Sequence, residues 1–416
     1  MRGTAVERRG PAADVAAESS RETGRGPVVF LHVGAPKTGT TFLQEVLWAH
    51  RGELAEEGVL LPGKRPEHFH ATLDVRELPL DPFPNAREGA WQRLVEESLA
   101  WDGPVIISHE LFAGASEEQA RRAVESLSPA EVHVVFTARD LARQLPAEWQ
   151  EHVKHRVQAP MGHFMEQVVE NGPLAQWFWT VQDPAGVLGR WGSTLPADRV
   201  HLLTVPPSGA EPGLLWQRFA SLVGIDPDRY DQSVARSNVS LGSAEVELLR
   251  RVNQSLGDRM PHPGPYGRFV KEVLAHRILG GRTDMVKFGL SPDLWPWLEE
   301  RSGQLIDDIR ALGCDVVGDL DELRPPQDAP KLPHPDEIEE AAVIDAAADS
   351  VADLLQRLRA QTQRAQRAER ELGKWRRRPV QRALIDASER RPWLKRARIV
   401  YWNVVNAARR LNGSRG

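Results

Sequence analysis

The stretch VVFLHVGAPKTGTTFLQ, residues 28–44, joins a short apolar run to a segment with helical spacing. Residues 28–33 are nearly all apolar and are followed by Gly34, a pattern typical of a buried parallel strand. From Thr40 the apolar residues recur with helical spacing, at Phe42, Leu43, Val46 and Leu47. A turn between a strand and a helix leaves backbone N–H groups free, and the helix dipole adds partial positive charge there. The stretch therefore predicts an anion-binding loop at residues 34–41.

The alternation of strand and helix continues through the first half of the chain. Apolar runs predict strands at 59–61, 104–108, 132–137 and 200–205, and helical spacing predicts helices at 90–100 and 117–126. Such alternation is typical of a parallel sheet with helices on both faces. We therefore expect an α/β fold of the P-loop type, with three α/β/α layers around a central parallel sheet and a C-terminal helical extension.

After about residue 210 the apolar pattern becomes helical, at 214–223, 243–256, 268–279 and 292–312. A Pro-rich break at 324–337 indicates a linker, and 338–372 has the spacing of an amphipathic helix or weak coiled coil. That spacing links Ile344, Ala347, Val351, Leu354, Leu358, Gln361, Ala365, Ala368 and Leu372. We expect a disordered lead at 1–26, a main domain at 27–323, and an extension that offers a contact for a homo-oligomer.

The C-terminal tail differs from the rest of the chain in charge. The formal net charge is −5, but residues 374–416 contain 13 Lys or Arg and only 2 Asp or Glu. The basic helical tail at 373–416 predicts peripheral contact with an anionic membrane, docking on an acidic partner, or simply a solvated helix. No nucleic-acid-binding motif accompanies it, so no nucleic-acid partner is expected.

The composition, with 41% apolar and 27% charged residues, indicates a soluble globular protein. A single cysteine, Cys314, excludes an internal disulfide framework. The first 26 residues have no apolar core of signal-peptide length, and no run approaches the ~18 apolar residues of a membrane span. We expect a cytoplasmic protein, peripheral to the membrane if the basic tail binds lipid.

The position of the lysine sets this loop apart from that of nucleoside triphosphatases, G-x-x-x-x-G-K-[ST]. Gly34 and Gly39 keep the glycine spacing, but Thr40 stands where the lysine belongs and Lys37 lies inside the turn. The predicted strand ends read Ser-His-Glu at 108–110 and Ala-Arg-Asp at 138–140. An arginine at a strand end suits a phosphate rather than a cation, and no acidic pair for magnesium is evident. No metal is therefore expected.

This combination resembles the sulfotransferases that use 3′-phosphoadenosine 5′-phosphosulfate (PAPS), over roughly residues 27–225. The resemblance implies that the 5′-phosphosulfate is bound by Pro36, Lys37, Thr38, Gly39, Thr40 and Thr41. It also implies that the 3′-phosphate is held by Arg139 and by a serine eight residues further on. Ala147 occupies that second position, so Arg143, Gln144 or a residue from another segment is expected to replace the serine.

The resemblance further implies PAPS as co-substrate and a hydroxyl acceptor on a carbohydrate, lipid or small molecule. Lys37 would stabilise the departing oxygen, and the general base is expected to be Glu110 or His109, with His70 as the next candidate. The segment around His70 also offers Glu67 and His68, and a later segment offers Arg236 and Asn238 for the 3′-phosphate. Four tryptophans could line the acceptor cleft or simply belong to the core: Trp149, Trp177, Trp179 and Trp191.

Two other functions remain open on the sequence. One is a P-loop kinase or NTPase that uses ATP or GTP, which would depend on magnesium. The other is a non-catalytic scaffold that keeps the nucleotide as a structural ligand and recruits partners through the coiled extension.

Overall fold

The computed structural model describes residues 27–79, 87–235, 240–327 and 331–376, and the four further positions 396, 399, 400 and 403. The chain forms two compact units, Met1–Ala347 and Ala348–Gly416. The predicted disordered lead, most of the basic tail, and both Arg236 and Asn238 lie outside the described residues. Within the described part, none of the helices is both long and apolar enough to cross a bilayer.

A five-stranded sheet forms the centre of the first unit, and all neighbouring strands pair in parallel. The strands are β1 (Val28–Gly34), β2 (Pro104–Ser108), β3 (Glu131–Ala138), β4 (Val200–Thr204) and β5 (Asp315–Val317), in the order β2-β1-β3-β4-β5. The chain therefore changes direction across the sheet between β1 and β3. In open α/β sheets, ligands bind outside the carboxyl ends of the strands at such a switch point. The loop that follows β1 lies at this position.

Helices surround the sheet and continue beyond it. They are α1 (Thr40–Ala49), α2 (Arg51–Glu56), α3 (Arg65–Val75), α4 (Ala90–Leu99), α5 (Glu117–Ser126), α6 (Leu141–Lys154), α7 (Met161–Val169), α8 (Gln176–Gln182), α9 (Pro184–Trp191), α10 (Leu214–Val223), α11 (Ser243–Leu256), α12 (Pro263–Tyr266), α13 (Trp295–Leu312) and α14 (Glu340–Arg376). Gly267–Ile278 has the hydrogen bonding of a π-helix.

The apolar residues of the strands divide between the two faces of the sheet, because successive side chains point in opposite directions. Val29, Leu31 and Val33 of β1 pack in one cluster with α4, α5, α9 and α13. Phe30 belongs to a second cluster, on the other face, with α1 and α10. The predicted α/β/α layering around a parallel sheet is confirmed.

A third apolar cluster lies outside the three layers and joins α6, α7, α8 and α11 to the π-helix and α13. Trp149 of α6 is fully buried in it, and its Nε1 donates to the carbonyl of Ala159 at 3.0 Å. Trp191 is buried as well, in the first cluster, and donates to the carbonyl of Phe112. These two tryptophans are core residues and do not line a cleft. The third cluster also packs α6 against the π-helix, so polar side chains of these two helices can meet.

Several sequence predictions need correction at the level of single elements. Residues 59–61 make only a single bridge, between Leu60 and Val105, instead of a strand. The helix expected at 268–279 is the π-helix, and the one expected at 292–312 begins with a 3-10 turn before α13. The strand β5 and the helices α3, α7, α8 and α9 were not predicted. β5 has three residues, too few for a periodic signal.

The C-terminal segments of the first unit lie on the helical cluster. In the Pro-rich segment, Pro335 is buried and the Asp336 carboxylate accepts the N–H groups of Met161 and Gly162. Helix α14 then begins with Val343 and Ala346 buried, whereas Ile344 of the predicted seam is 58% exposed. The face that packs is therefore offset by one residue from the seam expected here. Further along α14 the apolar side chains are exposed, at Val351, Leu354, Leu355, Leu358 and Leu372. Self-association through these residues stays a prediction.

Candidate active site

The loop after β1 turns sharply and then opens into helix α1. Gly39, at the N-cap position of α1, has φ +88°, and Lys37 has φ +63°, a left-handed conformation that is uncommon for a residue with a side chain. Thr38 is fully buried, and its hydroxyl contacts the Ala35 carbonyl at 2.6 Å and the Thr137 hydroxyl at 2.5 Å. The side chain of Thr38 therefore fastens the loop to β3. Because Gly39 has no side chain to cap α1, the first N–H groups of this helix can serve an anion.

Two glutamine side chains hold the middle of the loop from outside. Gln144 of α6 and Gln182 of α8 donate to the carbonyl of Pro36, at 2.8 and 2.9 Å. On the other side, a Cβ added to Gly39 would lie 2.5 Å from Leu215 Cδ2, and the φ of +88° is one that residues with a side chain rarely adopt, so glycine is favoured there. The loop is thus enclosed between α6, α8 and α10.

Arg139 lies at the end of β3, the strand next to the loop. Its Nε donates to Gln144 Oε1 at 3.0 Å, and its Nη2 donates to the carbonyl of Arg143 at 2.9 Å. Burial, and then Arg143, lower the pKa of Arg139 to about 10, so the guanidinium stays charged at neutral pH. Among the described residues, its Nη1 has no acceptor. Gln144 therefore connects the arginine at the end of β3 directly to the loop at the end of β1.

Arg143 makes its contacts inside the protein. Its Nε donates to Asp140, and its Nη1 donates to the carbonyl of Pro206 at 2.9 Å. These contacts fasten the start of α6 to the segment after β4. The structure gives Arg143 a positioning role, and Gln144 is the residue that reaches both Arg139 and the loop.

Lys37 makes an ion pair with α6. Its Nζ lies 2.5 Å from Glu151 Oε2, and the other oxygen of Glu151 lies 2.8 Å from Lys271 Nζ in the π-helix. His155 Nε2 also contacts Glu151, at 3.0 Å. Burial opposes ionisation of Glu151, but His155, Lys37 and Lys271 outweigh it and hold the pKa of this carboxyl far below its usual range. Glu151 is therefore a permanent anion beside the loop lysine.

Glu148 lies one turn earlier on α6 and has the opposite electrostatic character. It is 2% exposed, and its Oε1 accepts hydrogen bonds from Gln182 at 2.8 Å and Gln144 at 3.4 Å. Burial raises the pKa of Glu148 to about 7, against the influence of Lys37. A perturbed carboxyl of this kind marks a functional site or the cost of a buried network.

A cavity of about 410 Å3 opens on the other side of the loop, where α1, α3 and the end of β2 meet. Its polar end contains two of the predicted base candidates, His109 and Glu110, and its walls include the rings of Trp48 and Phe69. The lining residues are Thr41, Gln44, Trp48, Arg65, Pro66, Phe69, Ser108, His109 and Glu110. Thr41 belongs both to the loop and to the cavity, so an anion at the start of α1 and a molecule in the cavity would be neighbours.

The two base candidates at the end of β2 differ in what their atoms can do. His109 Nδ1 accepts the backbone N–H of Leu111 at 3.2 Å, which places the ring proton on Nε2. Burial lowers the pKa of His109, so the ring is neutral at pH 7 and offers a donor instead of a free lone pair. Glu110 Oε2 accepts from Gln44 at 3.1 Å. Burial works against ionisation of Glu110, but His109, which gains its charge at low pH, a backbone N–H and Gln44 keep the pKa of this carboxyl below its usual value.

The histidines before β2 have structural contacts. His68 is buried between backbone groups, with Nε2 2.9 Å from the Pro62 carbonyl and Nδ1 accepting the Ser108 N–H at 3.2 Å. Burial lowers its pKa to about 4. Glu67 accepts the N–H of Lys64 at the start of α3. His70 does not line the cavity, and its ring lies 5.9 Å from that of Phe69. The structure thus brings Glu110 and His109 together and leaves His70 aside.

Sequence reasoning missed Glu148, Glu151, Gln182 and Lys271 as neighbours of the loop. The i, i+3 spacing of Glu148 and Glu151 places both on one face of α6, a signal that was available. Lys271 is 234 positions after Lys37 and offered no such signal. In the described part of the chain, no group of three or more His, Cys, Asp or Glu side chains is arranged to hold a metal ion.

No family model matches the chain, and no curated protein matches it either. Among solved structures, it is similar to a sulfotransferase from Alicyclobacillus acidocaldarius, with 18% identity over 60% of this chain and 95% of that one. The TM-score is 0.36. At this identity and TM-score the similarity decides neither the activity nor the substrate of this chain.

Proposed function

We propose that this protein is a PAPS-dependent sulfotransferase that acts on a small hydroxyl-bearing acceptor. One observation carries the proposal: a lysine-containing loop and a buried arginine meet at the switch point of a parallel sheet, joined by Gln144. Two separated cationic contacts suit a nucleotide with phosphate groups at both its 5′ and 3′ positions. The neighbouring cavity with Glu110 supplies room for a second substrate.

The residues fit the phosphosulfate end of such a nucleotide. The N–H groups at the start of α1 and the side chain of Lys37 would face the 5′-phosphate and the sulfuryl group. Arg139, with its Nη1 still without an acceptor among the described residues, would face the 3′-phosphate. A sulfuryl group carries less charge than a phosphoryl group, so these cations can serve in place of a metal ion.

The reaction requires one proton transfer and one exchange of bonds at sulfur. The acceptor oxygen forms a bond to sulfur while the bond from sulfur to the 5′-phosphate oxygen breaks, and that bond's electron pair stays on the departing phosphate. Lys37 would stabilise the charge that develops there. Glu110, ionised at neutral pH and lining the cavity, would take the proton of the acceptor hydroxyl. His109 would donate through Nε2 and orient the acceptor.

The cavity walls indicate the kind of acceptor. Trp48, Pro66 and Phe69 present apolar surface, and Arg65 lies at the rim with half of its side chain exposed. A cavity of about 410 Å3 holds a molecule of limited size. An aromatic or alicyclic alcohol suits these walls better than a long glycan, which is usually bound in an open groove. Trp48→Ala is expected to raise the KM for such an acceptor with little change in nucleotide affinity.

Nucleotide titration by calorimetry tests the proposal. We expect adenosine 3′,5′-bisphosphate to bind in the presence of EDTA, and ATP with magnesium to bind weakly or not at all. A preference for ATP with magnesium would instead support the kinase or NTPase function. If the bisphosphate binds but no acceptor in a screen with labelled PAPS is sulfated, the result would support the non-catalytic scaffold function.

Lys37→Ala tests the catalytic part. We expect kcat to fall by about 10²–10³, as when one charge-stabilising donor is removed, with a much smaller change in nucleotide affinity. Lys287→Ala is the matched control, because Lys287 is an exposed lysine outside the site. Unchanged turnover in Lys37→Ala would refute the role of Lys37 at the leaving group.

A further inference from the structure

Two lysines contact a single ionised carboxylate beside the loop, and a third lysine lies on the same helix as that carboxylate. Glu151 contacts Lys37 at 2.5 Å through one oxygen and Lys271 at 2.8 Å through the other. Lys154 follows on the same helix, and its pKa responds to all three of these groups. Glu148, with its pKa near 7, adds at most a partial negative charge. The cluster therefore carries more positive than negative charge.

Lys154 is the exceptional member of the cluster. It is only 5% exposed, and among the described residues its ammonium has no hydrogen-bond or ion-pair partner. Burial, opposed by Glu151 but assisted by Lys37 and Lys271, lowers the pKa of Lys154 to about 8. Its side chain is therefore largely covered, while the nitrogen is not among the fully buried polar atoms without a partner, so an anion from solvent can reach it.

The geometry of α6 places this cluster next to the nucleotide contacts. Ala147, Glu151 and Lys154 are spaced i, i+4 and i+7, so they lie along one face of the helix. Arg139 precedes the same helix. Lys271 comes from the π-helix, an arrangement that is rare and frequent at functional sites. Side chains of Lys37 and Lys271 are 33% and 30% exposed, so a ligand from solvent can reach them.

We propose that Lys154 and Lys271, next to Lys37, form a subsite for a phosphate- or sulfate-class anion, and that Glu151 is an internal counterion which this anion displaces. The anion has two possible sources, the 3′-phosphate of the nucleotide or an acidic group on the acceptor. With the first source, the lysines would replace the contact that a serine at position 147 would have made to the 3′-phosphate. The choice between sources rests on the proposed function, whereas the existence of the subsite does not.

The test compares adenosine 3′,5′-bisphosphate with AMP, which lacks the 3′-phosphate, by calorimetry at fixed ionic strength. The variants are Lys271→Gln, the double variant Lys154→Gln/Lys271→Gln, and Lys287→Gln as control. If the 3′-phosphate occupies the subsite, the first two weaken bisphosphate binding about tenfold or more and change AMP binding less than twofold. Lys271→Gln is informative even if the double variant does not fold, because its side chain is partly exposed.

Sulfate, as a free anion, tests whether the subsite binds an acidic group of the acceptor instead of the 3′-phosphate. With AMP saturating, sodium sulfate should raise the Tm of the wild type more than that of Lys271→Gln, relative to sodium chloride at equal ionic strength. If Lys271→Gln keeps its affinity for the bisphosphate but shows a smaller sulfate-induced rise in Tm than the wild type, the subsite serves an acidic group of the acceptor. If the wild type binds neither nucleotide, the proposed function fails, and the sulfate comparison without nucleotide still tests the subsite.

Glu151→Gln provides a change of opposite sign. Removal of the internal counterion should strengthen binding of whichever anion uses the subsite by several-fold, even though the protein itself becomes less stable. If the ion pairs were purely structural, Lys271→Gln, the double variant and Glu151→Gln would all be less stable than the wild type, and Glu151→Gln would not bind the anion more tightly. Equal anion responses in the wild type, Lys271→Gln and Glu151→Gln would overturn the proposal.

Discussion

Substitution of Glu148 by glutamine should change how the stability of the protein depends on pH. Burial raises the pKa of this carboxyl from 4.5 to about 7 in the folded chain. Between these two values the folded state holds a proton that the unfolded state has released, so the free energy of unfolding falls as the pH rises. A pKa difference of about 2.5, at ~1.36 kcal/mol for each unit, corresponds to about 3 kcal/mol in all.

Glutamine keeps an oxygen that can accept from Gln182 but cannot ionise. Relative to Glu148→Gln, the wild type should lose about 2.5 kcal/mol of stability between pH 5 and pH 8, because part of the titration already lies below pH 5. Other groups titrate equally in both proteins and cancel in the comparison. Stability below pH 4 should be similar in the two, since Glu148 is then protonated in both states.

Urea unfolding followed by tryptophan fluorescence at pH 5, 6, 7 and 8 measures this difference, since Trp149 is fully buried next to Glu148 in sequence. Glu96→Gln, at an exposed position of α4, is the control and should follow the wild type at every pH. Parallel stability curves for the wild type and Glu148→Gln would show that Glu148 ionises at an ordinary pH. In that case the description of Glu148 as a buried carboxyl that is only partly ionised at neutral pH is wrong.

The remaining predictions concern the loop, the base and the far edge of the sheet. Gly39→Ala should abolish tight nucleotide binding and lower the free energy of unfolding by ~1–3 kcal/mol, because φ is +88° and the new methyl group would meet Leu215. The control is Gly52→Ala, which has open space around it and should fold normally. Glu110→Gln should lower kcat by about 10²–10⁴ and leave the nucleotide Kd nearly unchanged, measured by turnover and calorimetry. Equal losses in both would point to misfolding of the cavity. Arg218→Met should lower the free energy of unfolding in urea by about 2 kcal/mol, because Glu322 then loses two hydrogen bonds of 2.6 and 2.8 Å. An unchanged free energy of unfolding would mean that solvent already screens this ion pair.

The sequence was sufficient for those parts of the fold that have strong local patterns. Strand 104–108 and helix 117–126 coincide with the structure residue for residue, because apolar periodicity and the Ser116 capping box define their ends locally. The turn from β1 into α1 was predictable for the same reason. β5 was not, since three residues of a short edge strand are held by pairing with β4 and carry no pattern of their own.

The candidate site was predictable only where its residues are close in sequence to a strand end. Glu110 and Arg139 follow β2 and β3 directly, so the rule for parallel sheets places them at one edge. The pairing of Lys37 with Glu151 depends on the side-chain direction of a residue with positive φ, and that of Glu151 with Lys271 depends on how the helical cluster folds back. Neither follows from spacing along the chain.

The side chain of Gln144 has one more consequence. Its amide accepts from Arg139 at one end and donates to the carbonyl of Pro36 at the other. Arg139 and the loop are thereby preorganised with respect to each other before any nucleotide arrives, so the entropy of orienting them has already been lost on folding. A nucleotide with two phosphate groups at the matching separation would gain from both contacts at once. A shorter or longer one would gain from only one, and this rigid amide would thus act as a ruler for the ligand.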